Sequence, residues 1–351
     1  MEERITMAHG AGGAVTYELV KNYVLKYLGG SGVEVPLEAL DDAAVVDGIV
    51  LKSDSHAVKP LFFPGGDIGR LAITGTVNDI AVLGAQPLAL TSAFVLEEGL
   101  LLTDFERIVR SMGETCREAG VYVVTGDTKV VEKGSLGGCV INTSGIGKRT
   151  SALDHDILVV RKLRPEFGAR WLLDSNLLPG DKIILSGSVG DHGLAVLSSR
   201  EGYGFGSDIK SDVAPLNGVI QRLLGDVSGI VAMKDPTRGG LSNALNEWSQ
   251  KSRVGVLVEE DRIPIRDDVR SACEMLGIDP LEVGNEGKVI IGVLTEKAEE
   301  ALEFLRKTRE GEKAQIIGEA TDKFKEVALK TAVGGTRVLT PPVGDPIPRI
   351  C

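Results

Sequence analysis

The segment DIGRLAITGTVNDIAVLG, residues 67–84, sets the organisation of the first half of the chain. It predicts a helix with Asp67 as its N-cap and Gly84 just after its last turn. The helix is almost wholly apolar, yet Asn78 and Asp79 lie deep within it. Because burying an unpaired carboxylate is costly, we expect Asp79 either to accept backbone hydrogen bonds or to lie beside a metal ion or another cation.

Runs of β-prone residues flank this helix. Residues 43–54, AAVVDGIVLKSD, predict a hairpin that turns at Asp47 and Gly48, and PLALTSAFVL, VYVVTGD and GGCVINTSGIG predict further strands. The segment TDFERIVRSMGETCREAG predicts a helix that begins with a capping box from Thr103 to Glu106. Strands that follow one another with few helices between them indicate an α+β fold rather than a doubly wound sheet.

The length suits two domains of about 150 to 200 residues each. We place them at residues 1–150 and 151–338, followed by a flexible, proline-rich tail over residues 339–351. In the second domain, KIILSG, VGVLVEE, KVIIGVL, AQIIGEA and EVALKTAV predict strands that alternate with helices.

Charge and hydropathy narrow the function class. The net charge is −11, and no basic block is interleaved with aromatic residues. No apolar run approaches the ~18 residues of a membrane span, and the N-terminus lacks the apolar core of a signal peptide. We therefore expect a cytoplasmic protein that binds neither nucleic acid nor membrane.

The hairpin brings acidic side chains together. A two-residue turn at positions 47 and 48 pairs residues whose numbers sum to 95, so that Asp41 faces Asp54 and Asp42 faces Ser53. Like charges that face each other on a sheet are unfavourable, so this group is either fully solvated or holds a cation. Ligands that are all oxygen atoms favour Mg²⁺ over zinc.

Several other segments carry polar groups that a binding site could use. In TGDTKVV, Asp127 and Lys129 leave a predicted buried strand, and the lysine suits phosphate contact, proton transfer or an ordinary surface ion pair. The glycine-rich loops HGAGG, residues 9–13, and SGSVGDHG, residues 186–193, can cradle phosphate through backbone NH groups, although neither is specific. The chain contains no GxxxxGK[ST], GxGxxG or GxSxG motif, which excludes P-loop, Rossmann and hydrolase-elbow interpretations.

Two segments of the second domain place charged residues in loops. KDPTRGG sets Asp235 and Arg238 before a predicted helix, where Asp235 either joins a site or simply caps the helix. EVGNEGK places Glu286 in a turn before a strand, where a solvated carboxylate is the alternative to a functional one.

The chain ends in PPVGDPIPRIC, residues 341–351. In a polyproline-like conformation this tail would be semi-rigid and reach roughly 30 Å, with no hydrogen bonds within its own backbone. Its terminal thiol, Cys351, could carry a group between sites, or the end could simply fray. The other three cysteines fit apolar patterns and predict neither a disulfide framework nor a metal site; they are Cys116, Cys139 and Cys273.

Taken together, these segments resemble the HypE family of hydrogenase maturation proteins. The matches run in family order over almost the whole chain: MAHGAGG, DDAAVV, the block from Asp54 to Pro87, VTGDTKVV, INTSGIG, SGSVGDHG, KDPTRGGLSNALNE, EVGNEGK and the terminal PRIC. The long block and the terminal motif make the resemblance specific. The segment from Thr150 to Asn176 departs from it, being longer and differently composed than the usual link between domains.

The resemblance implies an architecture and its ligands. It implies two α+β domains: an N-terminal domain whose mixed or antiparallel sheet forms a homodimer interface, and a C-terminal α/β sandwich domain. It places the chain in the superfamily of aminoimidazole ribonucleotide synthetase, selenophosphate synthetase and thiamine monophosphate kinase. It further implies that ATP with Mg²⁺ binds to the N-terminal domain near the dimer interface.

The resemblance also implies roles for particular residues. Acidic positions expected to hold Mg²⁺ are matched by Asp42, Asp54, Asp79 and Asp127. Positions expected beside the nucleotide are matched by Lys52, Thr76, Asn78, Asp127 and Arg238, and by Gly10, Gly12 and Gly13 of a loop that resembles a mobile lid. Cys351 would carry the substrate, and Lys129 and Glu286 match residues near its amide. Since neighbouring carboxylates raise the pKa of a lysine, we assign proton removal to Glu286 and positioning of the amide to Lys129.

The activity implied by the resemblance is ATP-dependent carbamoyl dehydration. A carbamoyltransferase of the HypF type would load Cys351, ATP would drive dehydration of the S-carboxamide to a thiocyanate, and the cyanide would pass to iron on a HypC–HypD scaffold. One alternative is a kinase or synthetase of the superfamily acting on a free small molecule, which would need no carrier thiol. The other is a non-catalytic docking protein, which would need neither the acidic cluster nor a buried Asp79.

Overall fold

The computed structural model describes residues 4–30, 32–203, 209–344, 346–347 and 349–351. The first half of the chain forms seven strands: β1 (Ala44–Val46), β2 (Ile49–His56), β3 (Phe62–Phe63), β4 (Gly66–Asp67), β5 (Gln86–Glu97), β6 (Tyr122–Val131) and β7 (Cys139–Lys148). Its helices are α1 (Gly13–Leu19), α2 (Leu25–Leu28), α3 (Ile68–Val82) and α4 (Leu102–Ala119), with a π-helical turn at Val20–Val24.

The N-terminal sheet has the strand order β1-β2-β7-β5-β6. Only β5 and β6 run parallel, so the predicted mixed sheet is confirmed. Val45 pairs with Val50 and Val46 with Ile49, which confirms the predicted hairpin register. Asp47 and its neighbouring glycine both have positive φ, as a two-residue hairpin turn requires. Because β1 begins only at Ala44, this pairing does not extend to the acidic residues before it.

Helix α3 packs against this sheet and supports the acidic residues. The Asp67 carboxylate caps it by accepting hydrogen bonds from the backbone amides of Gly69 and Arg70, at 2.7 and 3.1 Å. Gly84 follows its end at φ 84°, so both predicted ends are confirmed. The capping box predicted for α4 is wrong, because that helix begins after Leu101 and has no side-chain cap.

The second half of the chain forms a seven-stranded sheet with helices. Its strands are β8 (Lys182–Leu185), β9 (Ile230–Lys234), β10 (Gly255–Glu259), β11 (Ile290–Val293), β12 (Gln315–Thr321), β13 (Val327–Lys330) and β14 (Thr336–Val338). Its helices are α5 (Ser151–Leu163), α6 (Asp191–Glu201), α7 (Asn217–Asp226), α8 (Gly240–Ser252), α9 (Asp267–Leu276) and α10 (Ala298–Arg306). The strand order is β14-β13-β10-β12-β8-β11-β9, and the predicted α+β class is confirmed. Strand β9 was not predicted, because its side chains are all buried and therefore show no alternation of polar and apolar residues.

The two halves of the chain pack together through two buried apolar clusters, each of which contains residues from both halves. Buried residues of the hairpin and α3 belong to the same cluster as those of α5 and the C-terminal sheet. Asn78 of α3 joins the halves by hydrogen bonds: its Nδ2 donates to the carbonyl of Ala214 at 3.2 Å and its Oδ1 accepts from the amide of Leu216 at 2.8 Å. None of the helices in the described ranges has the length and apolar composition needed to cross a membrane.

The described end of the tail is docked on the molecule. The amide of Ala57 donates to the carbonyl of Cys351 at 3.3 Å, and that of Lys59 donates to the carbonyl of Arg349 at 3.2 Å. Ile350 is only 2 % exposed. The sequence predicted a strap whose backbone has no hydrogen bonds within the tail itself, and the structure supplies partners for its end from the segment after β2.

Candidate active site

A polar cavity of about 240 Å³ lies where residues from both halves of the chain meet. Most of the side chains that carry its chemistry are charged; they are Asp42, Lys52, Asp54, Asp79, Lys234, Asp235, Arg238 and Glu286. Gly12 of the first glycine-rich loop and Cys351 of the tail also line it. Residues far apart in sequence therefore form one site.

Three carboxylates form the candidate metal centre. One oxygen each from Asp42, Asp79 and Asp235 lies within 4.8 Å of the other two. The Oδ2 atom of Asp235 is buried and has no hydrogen-bond partner among the described residues. A donor set made only of carboxylate oxygens, with one buried oxygen unpaired, fits a hard cation such as Mg²⁺.

Asp235 is a residue whose role the sequence left open. The interpretation of Asp235 as a helix cap is wrong, because α8 begins at Gly240 with Gly239 as its N-cap and no side-chain cap. Burial and the nearby Asp42 raise the pKa of Asp235 to about 8. Burial also raises the pKa of Asp79 well above its ordinary value. A cation in this position would favour the ionised form of both groups.

Strand β2 supplies a lysine to the same group. Lys52 and Asp54 lie two positions apart and so share one face of the strand. The Nζ atom of Lys52 lies 2.5 Å from Asp79 Oδ2 and 3.2 Å from Asp54 Oδ1. Burial opposes ionisation of Asp54, but the positive charge of Lys52 lowers the pKa of Asp54 below its ordinary value. Asp54 is thus an ionised partner of Lys52 beside the three-carboxylate group.

Glu286 lies at the wall of the cavity and is only 4 % exposed, so its interpretation as a solvated carboxylate is wrong. Its backbone amide donates to Asp212 Oδ1 at 3.1 Å and its carbonyl accepts from Asn78 Nδ2 at 3.4 Å. Burial, Asp212 and Asp79 raise the pKa of Glu286 well above its ordinary value, while Arg238 lowers it. The raised pKa makes the Glu286 carboxylate a stronger base than an ordinary glutamate.

The second glycine-rich loop holds the tail. His192, in the segment that predicted a phosphate cradle, places its Nε2 atom 2.8 Å from the carbonyl oxygen of Ile350 and its Nδ1 atom 2.8 Å from Ser211 Oγ. Burial lowers the pKa of His192, so the ring is neutral at physiological pH. This contact fixes the residue next to Cys351.

Asp127 and Lys129 lie away from this group. Both are exposed on β6, the edge strand, which β7 and β5 separate from β2. With strands about 4.8 Å apart, that separation is about 14 Å. Within a single copy of the chain, the structure therefore does not bring these two residues to Asp79 or Lys52.

Other predicted nucleotide ligands have different contacts. Thr76 is fully buried and its Oγ1 lies 2.6 Å from Thr143 Oγ1. Asn78 is engaged between the two halves of the chain as described above. Gly10 and Gly13 do not line the cavity, and a Cβ at Gly13 would lie 2.5 Å from the carbonyl oxygen of Pro342. The glycine therefore lets the tail pass close to the loop.

Sequence reasoning missed three residues of the site. Lys234 directly precedes Asp235 in the quoted KDPTRGG, but nothing local distinguishes it from a surface lysine. His56 ends β2 and lines the cavity, and burial lowers its pKa to about 4, so that it is neutral. Asp174 lies in the interdomain segment and contacts Lys234 at 3.1 Å.

Comparison with known proteins identifies relatives along the full chain. The family models for AIR synthase related proteins match residues 40–148 with the N-terminal domain and residues 179–330 with the C-terminal domain. The carbamoyl dehydratase HypE of Azotobacter vinelandii is 43 % identical over 348 residues, covering 99 % of this chain and 97 % of that protein.

Solved structures are similar over the same extent. A HypE–HypF complex contains a chain 44 % identical to this one, with a TM-score of 0.82, covering 92 % of this chain and 99 % of the other. A hydrogenase maturation protein HypE in complex with ATP is 41 % identical, with a TM-score of 0.79, covering 99 % of this chain and all of the other.

Proposed function

We propose that this chain, which belongs to the HypE family of carbamoyl dehydratases, uses ATP to dehydrate a carboxamide carried on its own Cys351. The product is a protein-bound thiocyanate, which supplies a cyanide ligand during assembly of the iron site of [NiFe]-hydrogenase. The observation that carries the proposal is that Cys351, Glu286 and the carboxylate cluster line one cavity.

The proposed reaction removes water from the S-carboxamide in two stages. The amide oxygen attacks the γ-phosphorus of ATP, ADP leaves, and the oxygen becomes part of a phosphate leaving group. The carbon–oxygen bond then breaks, phosphate departs, and the nitrogen gives up both of its protons to form the C≡N bond. Glu286 is the candidate base for a proton on nitrogen, because it is buried in the cavity and its raised pKa makes it a strong base when ionised.

Arg238 lies near both the thiol that carries the substrate and the candidate base. It lines the cavity with Cys351 and Glu286, and its charge favours the ionised form of Glu286. A guanidinium in this position also suits phosphate oxygens. Its proposed role is to bind the triphosphate and to help Glu286 ionise when the substrate is in place.

Magnesium is proposed to be held by Asp42, Asp79 and Asp235. This set differs from the one expected from the resemblance, because the three carboxylates that lie within 4.8 Å of one another include Asp235 and not Asp54, and Asp127 lies on the far edge of the sheet. When bound, the ion would neutralise phosphate charge during transfer.

A homodimer through β6 is part of the proposal. This edge strand is exposed along nearly its whole length, and Tyr122, Val124 and Val130 are 73 %, 65 % and 64 % exposed. An uncovered edge with apolar side chains is typical of an interface. Dimerisation there would bring Asp127 and Lys129 beside a second copy, which would reconcile their expected roles with their distance from the cavity.

We propose a HypF-type carbamoyltransferase as the protein that loads Cys351, since a related chain has been solved in a HypE–HypF complex. A HypC–HypD scaffold as the recipient follows from the family resemblance, as does a cytoplasmic location. The free small-molecule alternative loses support from the position of the tail, because Cys351 already lines the cavity.

The test is the mass of the C-terminal peptide. The full chain is incubated with its carbamoyl-loading partner, carbamoyl donor and Mg²⁺, first without and then with ATP, and Cys351→Ser serves as control. The proposal predicts addition of one carbamoyl group, followed by loss of one water that requires ATP. ATP consumption with an unmodified peptide would instead favour a small-molecule enzyme.

A further inference from the structure

Two of the three proposed metal ligands are already paired with lysines. Lys52 Nζ lies 2.5 Å from Asp79 Oδ2, and Lys234 Nζ lies 2.6 Å from Asp42 Oδ1. The third ligand, Asp235, is 4 % exposed and keeps a buried oxygen without a partner. Two of the three carboxylates therefore already have an ammonium partner within the chain.

Lys234 is held by more than Asp42. Its Nζ also lies 2.9 Å from Glu247 Oε2 and 3.1 Å from Asp174 Oδ2. The residue is 5 % exposed, so its ammonium has little access to solvent. Lys234 would thus keep two anionic partners if Asp42 were taken by a metal ion.

Asp174 holds Lys234 in place through a network of hydrogen bonds. Its carboxylate accepts hydrogen bonds from Lys251 Nζ at 2.6 Å and from Trp248 Nε1 at 2.8 Å, besides Lys234. Its backbone amide donates to Asp41 Oδ1 at 3.0 Å. The interdomain segment therefore positions Lys234 and ties it to the acidic residues before β1.

A divalent cation that binds to Asp42 without a nucleotide would lie close to the Lys234 ammonium, which is buried and cannot move into solvent. Repulsion between them is strong in a buried site, where charges are poorly screened. A cation that arrives with a triphosphate brings compensating negative charge, so the same ammonium then attracts the incoming complex.

We propose that Lys234, positioned by Asp174 and Glu247, excludes free divalent cations from Asp42 and makes the site accept Mg²⁺ together with a nucleoside triphosphate. The inference rests on the proposed function, because it assumes that a metal–nucleotide complex is the ligand. It assigns Lys234 as the residue that determines which form of the cation binds, with Asp174 and Glu247 as the residues that position it.

The experiment measures Mn²⁺ binding to the full chain by electron paramagnetic resonance, with and without a non-hydrolysable ATP analogue. The unchanged chain should bind Mn²⁺ weakly alone and at least tenfold more tightly with the analogue. Lys234→Met should bind Mn²⁺ alone at least tenfold more tightly than the unchanged chain. Lys234→Arg should restore the exclusion, and Mg²⁺ should compete for the same site.

Lys251→Met is the matched control. It removes a second lysine from the same network, one that contacts Asp174 but lies 3.9 Å from Asp41 and forms no salt bridge with Asp42 among the described residues. Its Mn²⁺ affinity should change less than threefold. Lys234→Gln provides a second neutral variant if the methionine variant does not fold.

Two outcomes separate this inference from the function on which it rests. Unchanged Mn²⁺ affinity in the neutral variants of Lys234, with normal binding in the presence of nucleotide, overturns the inference alone. Absence of Mn²⁺ binding by the unchanged chain even with nucleotide overturns the proposed metal site, and the inference with it.

Discussion

The Nε2 atom of His192 lies 2.8 Å from the carbonyl oxygen of Ile350, the residue that precedes the terminal Cys351. The Ile350 side chain is buried beside Gly284, where an added Cβ would lie 2.7 Å from its Cδ1 atom. A neutral ring, a hydrogen-bonded carbonyl and a space left by a glycine thus hold the tail at a defined position. The position of the Cys351 thiol is therefore determined by the contacts of Ile350.

Replacing Ile350 with alanine should release the tail. The variant loses most of the apolar area that the residue buries, which shifts the docked equilibrium by about tenfold or more. Alkylation of Cys351 by iodoacetamide, followed by mass spectrometry of the C-terminal peptide, should be faster by about that factor.

The same tail offers a matched control. Val343 is 78 % exposed, so Val343→Ala should leave the alkylation rate unchanged. The three buried cysteines, Cys116, Cys139 and Cys273, report whether the fold itself has loosened. Equal rates for the Ile350 and Val343 variants would show that Ile350 does not anchor the tail.

Glu286→Gln should retain ATP binding and lose dehydration. The glutamine has nearly the same shape but cannot accept a proton from nitrogen. Because burial, Asp212 and Asp79 raise the pKa of Glu286, its ionisation moves to higher pH, and the rate of the chemical step should increase with pH as the carboxylate ionises. Single-turnover conversion of the carbamoylated peptide measures this rate.

Glu282→Gln is the control that tests whether the loss of activity is specific to Glu286 or follows from neutralising any glutamate in this segment. Glu282 lies four positions earlier and does not line the cavity, so its variant should keep the activity. A fully active Glu286→Gln, or a rate that does not increase with pH, would remove Glu286 as the base.

Asp79 and Asp235 show what the sequence could reveal about the site. The burial of Asp79 follows from its place in an apolar helix, and that pattern is local. Asp235 approaches it only because β9, a buried strand without a recognisable pattern, packs into the C-terminal sheet. From the sequence alone, a helix cap explained Asp235 equally well. Only the long-range packing of β9 shows that Asp235 belongs to the carboxylate cluster.

The tail and β6 illustrate a second limit. Prolines predict an extended segment, but the burial of Ile347 and Ile350 depends on pockets formed by other parts of the chain. Likewise, a strand was correctly predicted at VYVVTGD, but the prediction that Asp127 and Lys129 leave a buried strand is wrong, because both lie within β6 and that strand is exposed. The sheet order that separates them from the cavity comes from pairing between distant segments. Hairpin register and helix caps, by contrast, are local and were largely predictable.

Val124→Asp should weaken the proposed dimer. Val124 is 65 % exposed on β6, and a carboxylate there would have to be buried without a partner when two copies meet. Light scattering after size-exclusion chromatography should show a shift from dimer to monomer. Val333→Asp is the control, because Val333 is 95 % exposed in the turn between β13 and β14. A dimer that survives Val124→Asp at the same concentrations would place the interface elsewhere.

Asp156→Asn should change how stability depends on pH. Asp156 of α5 is fully buried, its Oδ1 accepts from the amide of Ile230 at 2.9 Å, and its Oδ2 has no partner among the described residues. Burial raises its pKa from 3.8 to about 8.

Between these two pH values the folded chain keeps a proton on Asp156 that the unfolded chain has released. The free energy of unfolding therefore falls as the pH rises through this window, and the loss levels off above it. Asparagine keeps the acceptor and cannot ionise, so the melting temperature of Asp156→Asn should fall less between pH 5 and pH 8 than that of the unchanged chain. Asp154→Asn, in the same helix but on an exposed side chain, should keep the original slope. If the melting temperatures of the unchanged chain and Asp156→Asn fall equally between pH 5 and pH 8, Asp156 is already ionised in the folded protein.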